Sequence, residues 1–312
     1  MFLVIAAAFI AASVYFLHVV LNAMRGQIVQ PAQVKTVAKK KEADAGKRKA
    51  AWASLKKDVE HELKGFSGAA GVVIKDLDKN WEINTNKDLR IPSASMVKIP
   101  IMMAYFYAAN EGKLSLQDTI EIRNSEKAPG SGELKFEMPG KTFTIEDLIR
   151  RMITESDNTA ANMLINRLGF DTLNHYFKKL GLNHTNLSRK MMDFKERKGG
   201  VENYTTAGEM AYLLEQLYRG RFINVDTSKK CIEILAGQKV NDRIPKKLPD
   251  EVIVAHKTGL ENFLCHDAGI VYTDKGNFLI CVLTKHRNKT AQESKAVIAE
   301  ISLLTYNYYG DF

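Results

Sequence analysis

The hydrophobic pattern of this chain changes character twice, once near residue 25 and once near residue 52. Residues 1–24 contain no Asp, Glu, Lys or Arg, and an uncharged apolar run of this length can cross a bilayer as a helix. The pattern therefore predicts a transmembrane anchor over residues 1–24. A cleaved signal peptide is the alternative, although the run lacks a basic start and Leu21-Asn22-Ala23 is a poor small-x-small cleavage site.

Residues 52–312 show the alternating and helical periodicities of a folded domain. Near its start, ASLKKDVEHELKGF is typical of a helix, and AGVVIKDLDKNWEIN is typical of a β-hairpin that turns at Asp-Lys-Asn. At its end, VIVAHKTG, DAGIVYT and NFLICVLTK are typical of strands, and AQESKAVIAEISLLTYNYY is typical of a helix with Val297, Ile301 and Leu304 on one face. The middle, roughly 105–235, is mostly helical in pattern.

Strands at both ends of a domain with helices between them indicate an α+β fold. We expect one antiparallel sheet built from both termini of the domain, flanked by helices, with a mainly helical middle subdomain. With 312 residues, 45% hydrophobic and 26% charged, the chain can bury one large core or two modest ones.

The positive charge of the chain is concentrated between the anchor and the domain. Residues 25–51 hold eight Lys or Arg against Glu42 and Asp44, which is +6 of the formal +9. Because the domain itself is close to neutral, the sequence does not favour nucleic-acid binding. We expect residues 25–51 to form a basic, flexible linker that lies near anionic lipid headgroups.

A candidate nucleophile stands where the first helix of the middle region begins. Ser95 and Lys98 are three residues apart, so on a helix they share one face. Burial and the positive end of the helix dipole both disfavour the charged amine and should lower the pKa of Lys98. A neutral lysine can take a proton from serine. Ser54 and Lys57 have the same spacing, but they lie in a lysine-rich run and are interpreted as ordinary surface residues.

Two further motifs are weak when taken alone. Ser156-Asp157-Asn158 lies between two helical stretches, where such residues commonly cap a helix. Lys257-Thr258-Gly259 ends the strand EVIVAHKTG. A lysine that leaves a strand before a glycine is equally commonplace.

The three motifs together, in this order and on these elements, resemble the serine β-lactamases and penicillin-binding proteins. The resemblance is greatest to the class A β-lactamase family and extends from about Leu55 to Leu304. The segments that carry it include RIPSASMVKIP, NEGKLSLQDTIEI, RRMITESDNTAANMLINRLG, YTTAGEMAYLL and LPDEVIVAHKTG.

The resemblance implies a mechanism through an acyl-enzyme. Ser95 would be the nucleophile, Lys98 its base or proton relay, and Ser156 the donor of a proton toward the leaving nitrogen, with Lys257 tuning the field around it. The backbone N–H groups of Ser95 and Leu260 would receive the developing oxyanion.

The same resemblance implies the binding residues. Lys257 and Thr258, in the motif that Gly259 completes, would hold the carboxylate that β-lactams share with D-alanyl-D-alanine ends. The amide of Asn158 would bind the acylamide of the substrate. Asp157 is interpreted as a loop organiser. Arg243 is either a second carboxylate-binding cation or a surface arginine beside Pro245.

Deacylation is where the sequence departs from this family. Class A β-lactamases have a loop with Glu-x-x-x-Asn, whose glutamate activates the water that frees the acyl-enzyme. The expected position falls near 190–192, where the residues are Lys, Met and Met. The nearby carboxylates are Asp193, Glu196 and Glu202. Asp193 is the best candidate for the base, with a loop salt bridge as its alternative role.

These observations predict a serine hydrolase that acts on β-lactams, with a D,D-peptidase or a sensor that is acylated without turnover as alternatives. We expect a small-molecule or peptide substrate, no cofactor and no metal. The chemistry places the domain on the outer side of the cytoplasmic membrane, or secreted after cleavage, whereas basic residues after a transmembrane helix favour the cytoplasmic side.

No disulfide is predicted, because a turn at 274–276 sets Cys265 opposite Lys285 rather than Cys281.

Overall fold

A computed structural model describes residues 31–287 and 290–310. The predicted anchor, residues 1–24, lies outside the described residues. Within the described ranges, no helix is both long and apolar enough to cross a membrane. The chain divides into two compact units, residues 1–54 and 55–312.

The first helix, α1, spans Pro31–Gly65. It includes residues 31–51 of the segment expected to be a basic, flexible linker. A helix there fits the composition, because residues 31–51 hold six Ala and six Lys, which lose little side-chain freedom in a helix and have high helix propensity.

One five-stranded antiparallel sheet forms the body of the second unit, as predicted. Its order is β2-β1-β9-β8-β7, where β1 is Gly68–Asp76, β2 is Glu82–Thr85, β7 is Ile253–Glu261, β8 is Leu264–Tyr272 and β9 is Phe278–His286. Strands β1 and β9 pair along their whole length, from Gly68 opposite His286 to Asp76 opposite Phe278. This pairing joins the two ends of the domain and leaves β7 at one edge of the sheet.

The remaining strands form two small pairs, β3 (Ile91–Pro92) with β6 (Tyr204–Thr205) and β4 (Thr119–Glu121) with β5 (Thr142–Thr144). The middle of the chain is helical, as predicted. Its helices are α2 (Lys98–Asn110), α3 (Ile145–Thr154), α4 (Asn158–Leu168), α5 (Phe170–Lys179), α6 (Phe194–Lys198), α7 (Ala207–Tyr218) and α8 (Val225–Ala236). The chain closes with α9 (Gln292–Gly310).

Helix α2 lies at the centre of this unit. Ten of its 13 residues are buried, and a helix that is apolar on all sides is stable only inside a core. Its first residue is Lys98, so the fold draws a lysine into the interior next to the predicted nucleophile. The burial of Lys98 is the main contribution of the fold to the site.

The hairpin of β8 and β9 differs by one residue from the register predicted for it. Cys265 lies opposite Thr284 rather than Lys285, and Cys281 lies opposite Ala268. The loop between the two strands holds five residues, and the Thr273 N–H donates to Asn277 Oδ1, so these two residues are not a ladder pair. All three cysteines are buried and free, which confirms that Cys265 and Cys281 do not form a disulfide.

Candidate active site

Ser95 lies in a one-turn 3-10 helix, Ala94–Val97, that leads directly into α2. The turn starts from a strained point: Ala94 has a φ of +43°, a conformation that residues other than glycine adopt only when their surroundings hold them there. The Ser93 N–H donates to the Asn203 carbonyl at 2.8 Å. The half-buried Ser95 side chain faces a cleft of about 110 Å³.

Lys98 is fully buried and directed at the second motif. Its Nζ donates to the carbonyl of Ser156 at 2.7 Å, to Asn158 Oδ1 at 2.8 Å and to Ser156 Oγ at 3.3 Å. Burial lowers the pKa of Lys98 to about 7, against the opposing effect of the Asp157 carboxylate. The predicted depression of this pKa is thus supported, with burial as its largest cause.

The hydrogen-bond partners of Lys98 allow its neutral amine to accept a proton. A neutral amine has two N–H donors and one lone pair. The two shorter hydrogen bonds use both donors of the neutral amine, so an N–H is donated to Ser156 Oγ at 3.3 Å only while the amine is charged. Once the amine is neutral, its lone pair can accept a proton from a hydroxyl group. Lys98 can therefore act as a base at neutral pH without losing its position.

Ser156 lies between the two buried lysines. Its Oγ accepts from Lys98 Nζ at 3.3 Å and from Lys257 Nζ at 3.0 Å, and its backbone adopts a φ of +55°. Lys257 is fully buried, and its pKa lies well below the usual range because of burial, the nearby Lys98 charge and the nearby Arg243 charge. The two amines and the hydroxyl form a continuous path for a proton.

Asp157 organises the loop around Ser156, as predicted from the sequence. It caps α4 by accepting from the Ala160 N–H at 2.9 Å, and it accepts from the Leu134 N–H at 2.9 Å. A side chain on Gly132 would place its Cβ 2.1 Å from the Asp157 carboxyl carbon. Only glycine therefore fits at this crossing of the two loops.

Asn158 connects the motifs to the cleft wall. Its Oδ1 accepts from Lys98, and its Nδ2 donates to the Pro129 carbonyl at 3.0 Å. Asn158 also lines the cleft that contains Ser95, which is where a group that binds the acylamide of a substrate must lie.

The Lys-Thr-Gly motif lies on β7, the edge strand of the sheet. Lys257, Thr258 and Gly259 pair only with β8 within this sheet, and no strand among residues 31–287 and 290–310 lies along the other side of β7. Leu260, the next residue, is 52% exposed and lines the cleft with Ser95. An extended substrate can pair with such an edge as an added strand does.

Arg243 is not a surface residue, so that alternative is wrong. Its side chain is 1% exposed, its Nε donates to Cys265 Sγ at 3.1 Å, and its charge lowers the pKa of Lys257. Asp267 holds the next residue in place by accepting from the Ile244 N–H at 3.0 Å. Arg243 therefore adds a second positive charge behind the Lys-Thr-Gly motif, and Asp267 is a supporting residue that the sequence did not reveal.

His266 is a supporting residue that ties the sheet to the segment before the nucleophile. Its Nδ1 accepts from the Thr284 N–H at 3.1 Å, so its Nε2 carries the proton and donates to the Pro92 carbonyl at 2.9 Å. Burial lowers its pKa to about 4. A neutral His266 thus ties the sheet to the segment that precedes Ser95.

Asp193 does not lie on the cleft wall. It caps α6, accepting from the Glu196 N–H at 3.1 Å, and the cleft beside Ser95 is lined instead by Met191, Met192, Arg189 and Glu261. A carboxylate that is occupied as a helix cap outside the cleft is poorly placed to activate a water there. Asp193 is therefore not the deacylating base.

Met191 occupies the place where a deacylating glutamate was expected. Asn162 holds its backbone on both sides, since the Met191 N–H donates to Asn162 Oδ1 at 2.8 Å and Asn162 Nδ2 donates to the Met191 carbonyl at 3.3 Å. The sequence placed the expected glutamate near residues 190–192, a range that includes Met191. Glu261 was missed, although its place two residues after Gly259 could have indicated it.

This geometry, a serine beside a buried base with a second hydroxyl on a proton path, is that of serine hydrolases that work through an acyl-enzyme. The sequence profile of the beta-lactamase enzyme family matches residues 54–309. The chain belongs to that family and is a serine hydrolase of the β-lactamase type.

Known proteins of similar sequence and structure agree with this assignment. Beta-lactamase VEB-1 of Pseudomonas aeruginosa is 28% identical over 270 residues, covering 80% of this chain and 89% of that protein. A beta-lactamase structure from Sphaerobacter thermophilus is 30% identical with a TM-score of 0.75, covering 84% of this chain and 98% of the other. The structure of PBP-A is 27% identical with a TM-score of 0.76, covering 83% and 97%.

Proposed function

We propose that the protein cleaves the amide bond of β-lactams through an acyl-enzyme on Ser95. The observation that carries this proposal is the buried path Lys98–Ser156–Lys257 next to the cleft that Ser95 lines. Lys98 takes the proton of Ser95 Oγ as the oxygen attacks the carbonyl carbon. Ser156 then gives its hydroxyl proton to the leaving nitrogen, and Lys98, which holds the proton taken from Ser95, returns a proton to Ser156.

The positive charges near the Lys-Thr-Gly motif support recognition of a carboxylate. Lys257 and Arg243 are buried close together, and the Thr258 hydroxyl is a neighbouring donor. Asp242, 3.3 Å from Arg243, and the buried Asp267 near Lys257 offset part of this charge. A substrate carboxylate, which β-lactams and D-alanyl-D-alanine ends both carry, would add a further anion beside Lys257 and Thr258.

Hydrolysis of the acyl-enzyme is the step for which the site is least equipped. Two methionines line the cleft where a base was expected, and the carboxylate on this wall, Glu261, is held by Arg189 and Arg197. Both carboxylate oxygens of Glu261 already contact guanidinium groups, so neither is free to take a proton from a water molecule. We infer that acylation is fast and deacylation slow.

Rapid mixing of the protein with a chromogenic cephalosporin tests this proposal. We expect a burst of product close to one equivalent of enzyme, followed by a slower steady rate that reports deacylation. A steady rate equal to the burst rate would contradict slow deacylation. Absence of any burst or turnover would contradict the proposal as a whole.

A D,D-peptidase is the second candidate function. The observation that favours it is the same wall of methionines, because an acyl-enzyme that water attacks slowly persists long enough to be transferred to an amine. A burst that stops after one equivalent, combined with release of D-alanine from D-alanyl-D-alanine peptides, would support this candidate over a β-lactamase.

The pKa of Lys98 predicts the pH dependence of acylation. Since the neutral amine is the active form and its pKa is about 7, the acylation rate should rise as pH increases from 5 through 7 and level off near 8. Burst rates measured across this range check the prediction. Lys98→Met should acylate roughly 10² to 10⁴ times more slowly and lose the inflection. The same inflection in that variant would assign it to another group.

The location of the domain is proposed from the sequence alone. The uncharged run of residues 1–24 supports a single-pass anchor in the cytoplasmic membrane, with the domain on the outer side, where cell-wall peptides and β-lactams are found. Secretion after cleavage is the alternative.

A further inference from the structure

One buried imidazole touches both of the segments that carry the expected oxyanion donors. Those donors are the backbone N–H groups of Ser95 and Leu260. His266 is fully buried on β8, opposite Gly259 of β7. Gly259 directly precedes Leu260, and Pro92, the other contact of the ring, lies three residues before Ser95. The imidazole therefore lies between the two segments.

The contact of His266 with the nucleophile segment is a hydrogen bond. Its Nε2 donates to the Pro92 carbonyl at 2.9 Å, while its Nδ1 accepts from the Thr284 N–H at 3.1 Å. Burial lowers the pKa of His266 to about 4, so the ring is neutral at neutral pH and has one donor and one acceptor. Because the Thr284 N–H occupies Nδ1, the ring proton is on Nε2 and faces Pro92.

The Pro92–Ser93 peptide group is held from both sides. Its carbonyl accepts from the imidazole, and its N–H donates to the Asn203 carbonyl at 2.8 Å. This peptide group directly precedes Ala94, whose φ of +43° persists only where neighbours enforce it. The two hydrogen bonds thus fix the direction in which the chain enters the turn that carries the nucleophile.

The contact of His266 with the edge strand is a close packing contact. A Cβ built on Gly259 would lie 3.1 Å from His266 Cδ2 and 3.2 Å from His266 Cβ, which is tighter than ordinary van der Waals contact. The imidazole therefore lies directly against the Gly259 backbone. Since Gly259 is joined to Leu260, which lines the Ser95 cleft, the ring supports the peptide group that carries the second N–H.

An oxyanion pocket works only when its two donors keep their spacing. Both N–H groups must lie within hydrogen-bond distance of the oxygen at the moment when it becomes charged, and loss of one donor costs about 10² to 10³ in rate. A displacement of about 1 Å can cost about 10². Because one rigid ring touches both segments, their separation depends on the position of that ring.

We propose that His266 is a positioning residue for the oxyanion pocket: its imidazole sets the distance between the backbone N–H groups of Ser95 and Leu260. This inference rests on the proposed function. His266 is fully buried and acts through Pro92 and Gly259, so it is not a catalytic residue.

Substitutions of His266 separate its donor from its acceptor. His266→Asn keeps an oxygen near the place of Nδ1, where it can accept from the Thr284 N–H, but it is too short to reach the Pro92 carbonyl. His266→Gln is longer and places an amide N–H near the place of Nε2, so it retains the bond to Pro92. His266→Phe keeps a ring against Gly259 without the donor, and it replaces His266→Asn if that variant does not fold.

Tyr105→Phe is the matched control for loss of stability. The Tyr105 side chain is also fully buried, and its hydroxyl donates to the Leu164 carbonyl at 2.6 Å. Like His266→Asn, this variant loses one buried side-chain donor to a backbone carbonyl, but neither Tyr105 nor Leu164 lines the cleft. Both variants should lower the Tm by a few degrees.

The first readout is the carbonyl band of the acyl-enzyme in infrared difference spectra, recorded with a penicillin whose lactam carbonyl is isotopically labelled. Hydrogen bonds to a carbonyl oxygen lower its stretching frequency, so a widened pocket raises it. We expect the band to move to higher wavenumber in His266→Asn and to keep the parent position in His266→Gln and Tyr105→Phe. An unmoved band in His266→Asn, or an equal shift in either of the other variants, overturns the proposal.

The second readout separates binding from reaction. Burst measurements with a chromogenic cephalosporin at several concentrations give the acylation rate constant and the half-saturating concentration. We expect His266→Asn to lower the rate constant roughly 10- to 100-fold. The half-saturating concentration should stay near that of the parent, because the oxyanion forms only in the transition state. A change in the half-saturating concentration alone would overturn the proposal.

The third readout does not depend on acylation. Hydrogen exchange of the Ser93 N–H should become about tenfold faster in His266→Asn, because its peptide group is then held from one side only. Unchanged exchange overturns the proposal. If the parent protein is not acylated by a penicillin, the proposed function fails, and the exchange rate still decides whether His266 holds the segment before Ser95. If the parent is acylated and exchange is unchanged in His266→Asn, only the role of His266 is contradicted.

Discussion

Ser95→Ala should abolish covalent capture of β-lactams. Alanine keeps the backbone N–H that would serve the oxyanion, and it leaves Lys98, Ser156 and Lys257 unchanged, so the variant loses only the attacking oxygen. Removal of a catalytic nucleophile costs roughly 10⁴-fold or more in rate. Intact-protein mass spectrometry after incubation with a penicillin should show the added mass of one penicillin on the parent protein and none on the variant.

Ser131→Ala is the appropriate control for this loss. Ser131 is a second hydroxyl on the wall of the same cleft, it is exposed, and no lysine is assigned to it as a base. This variant should be acylated at a rate close to that of the parent. An adduct on Ser95→Ala, or its loss in Ser131→Ala, would move the nucleophile to Ser131.

Met191→Glu should convert a slow hydrolase into a faster one. The Met191 backbone is fixed by Asn162 and its side chain, 6% exposed, lines the Ser95 cleft. Glutamate has nearly the same length as methionine and would bring a carboxylate to the wall from which water must approach. Because a positioned general base contributes about 10² to 10⁴ in rate, the steady rate after the burst should rise roughly 10²-fold.

Met191→Gln separates basicity from shape. It places a polar group of the same size at the same point but cannot accept a proton, so its steady rate should stay near that of the parent while the burst persists. Equal acceleration in both variants would show that access of water, rather than a missing base, limits deacylation. No acceleration in Met191→Glu would mean that another group already fills this role.

Much of the site could be predicted because its parts are local. Ser95 and Lys98 lie within one turn of each other, Asp157 precedes the helix that it caps, and Lys257 lies on a strand whose apolar pattern is plain in the sequence. The α+β fold and the pairing of both ends of the domain followed in the same way from periodicity. Such features depend on neighbours within a few residues, which the sequence displays directly.

Two interpretations fail for different reasons. Asp193 was a plausible base by distance along the chain, yet it caps α6 through the Glu196 N–H, three residues further on. Arg243 could have been a surface residue, yet Cys265 and the sheet bury it. The burial of Arg243 depends on residues distant in sequence, which the sequence does not display.

The sequence by itself determined the order of the three motifs, the elements that carry them and the absence of a glutamate at 190–192. Only the tertiary structure decided which groups meet: Lys98 with Ser156 at 3.3 Å, Ser156 with Lys257 at 3.0 Å, and Glu261 with Arg189 and Arg197. The physical reason is that hydrogen bonds, ion pairs and pKa shifts depend on distances of a few ångströms and on burial. Those quantities exist only once strands and helices from the whole domain have packed together.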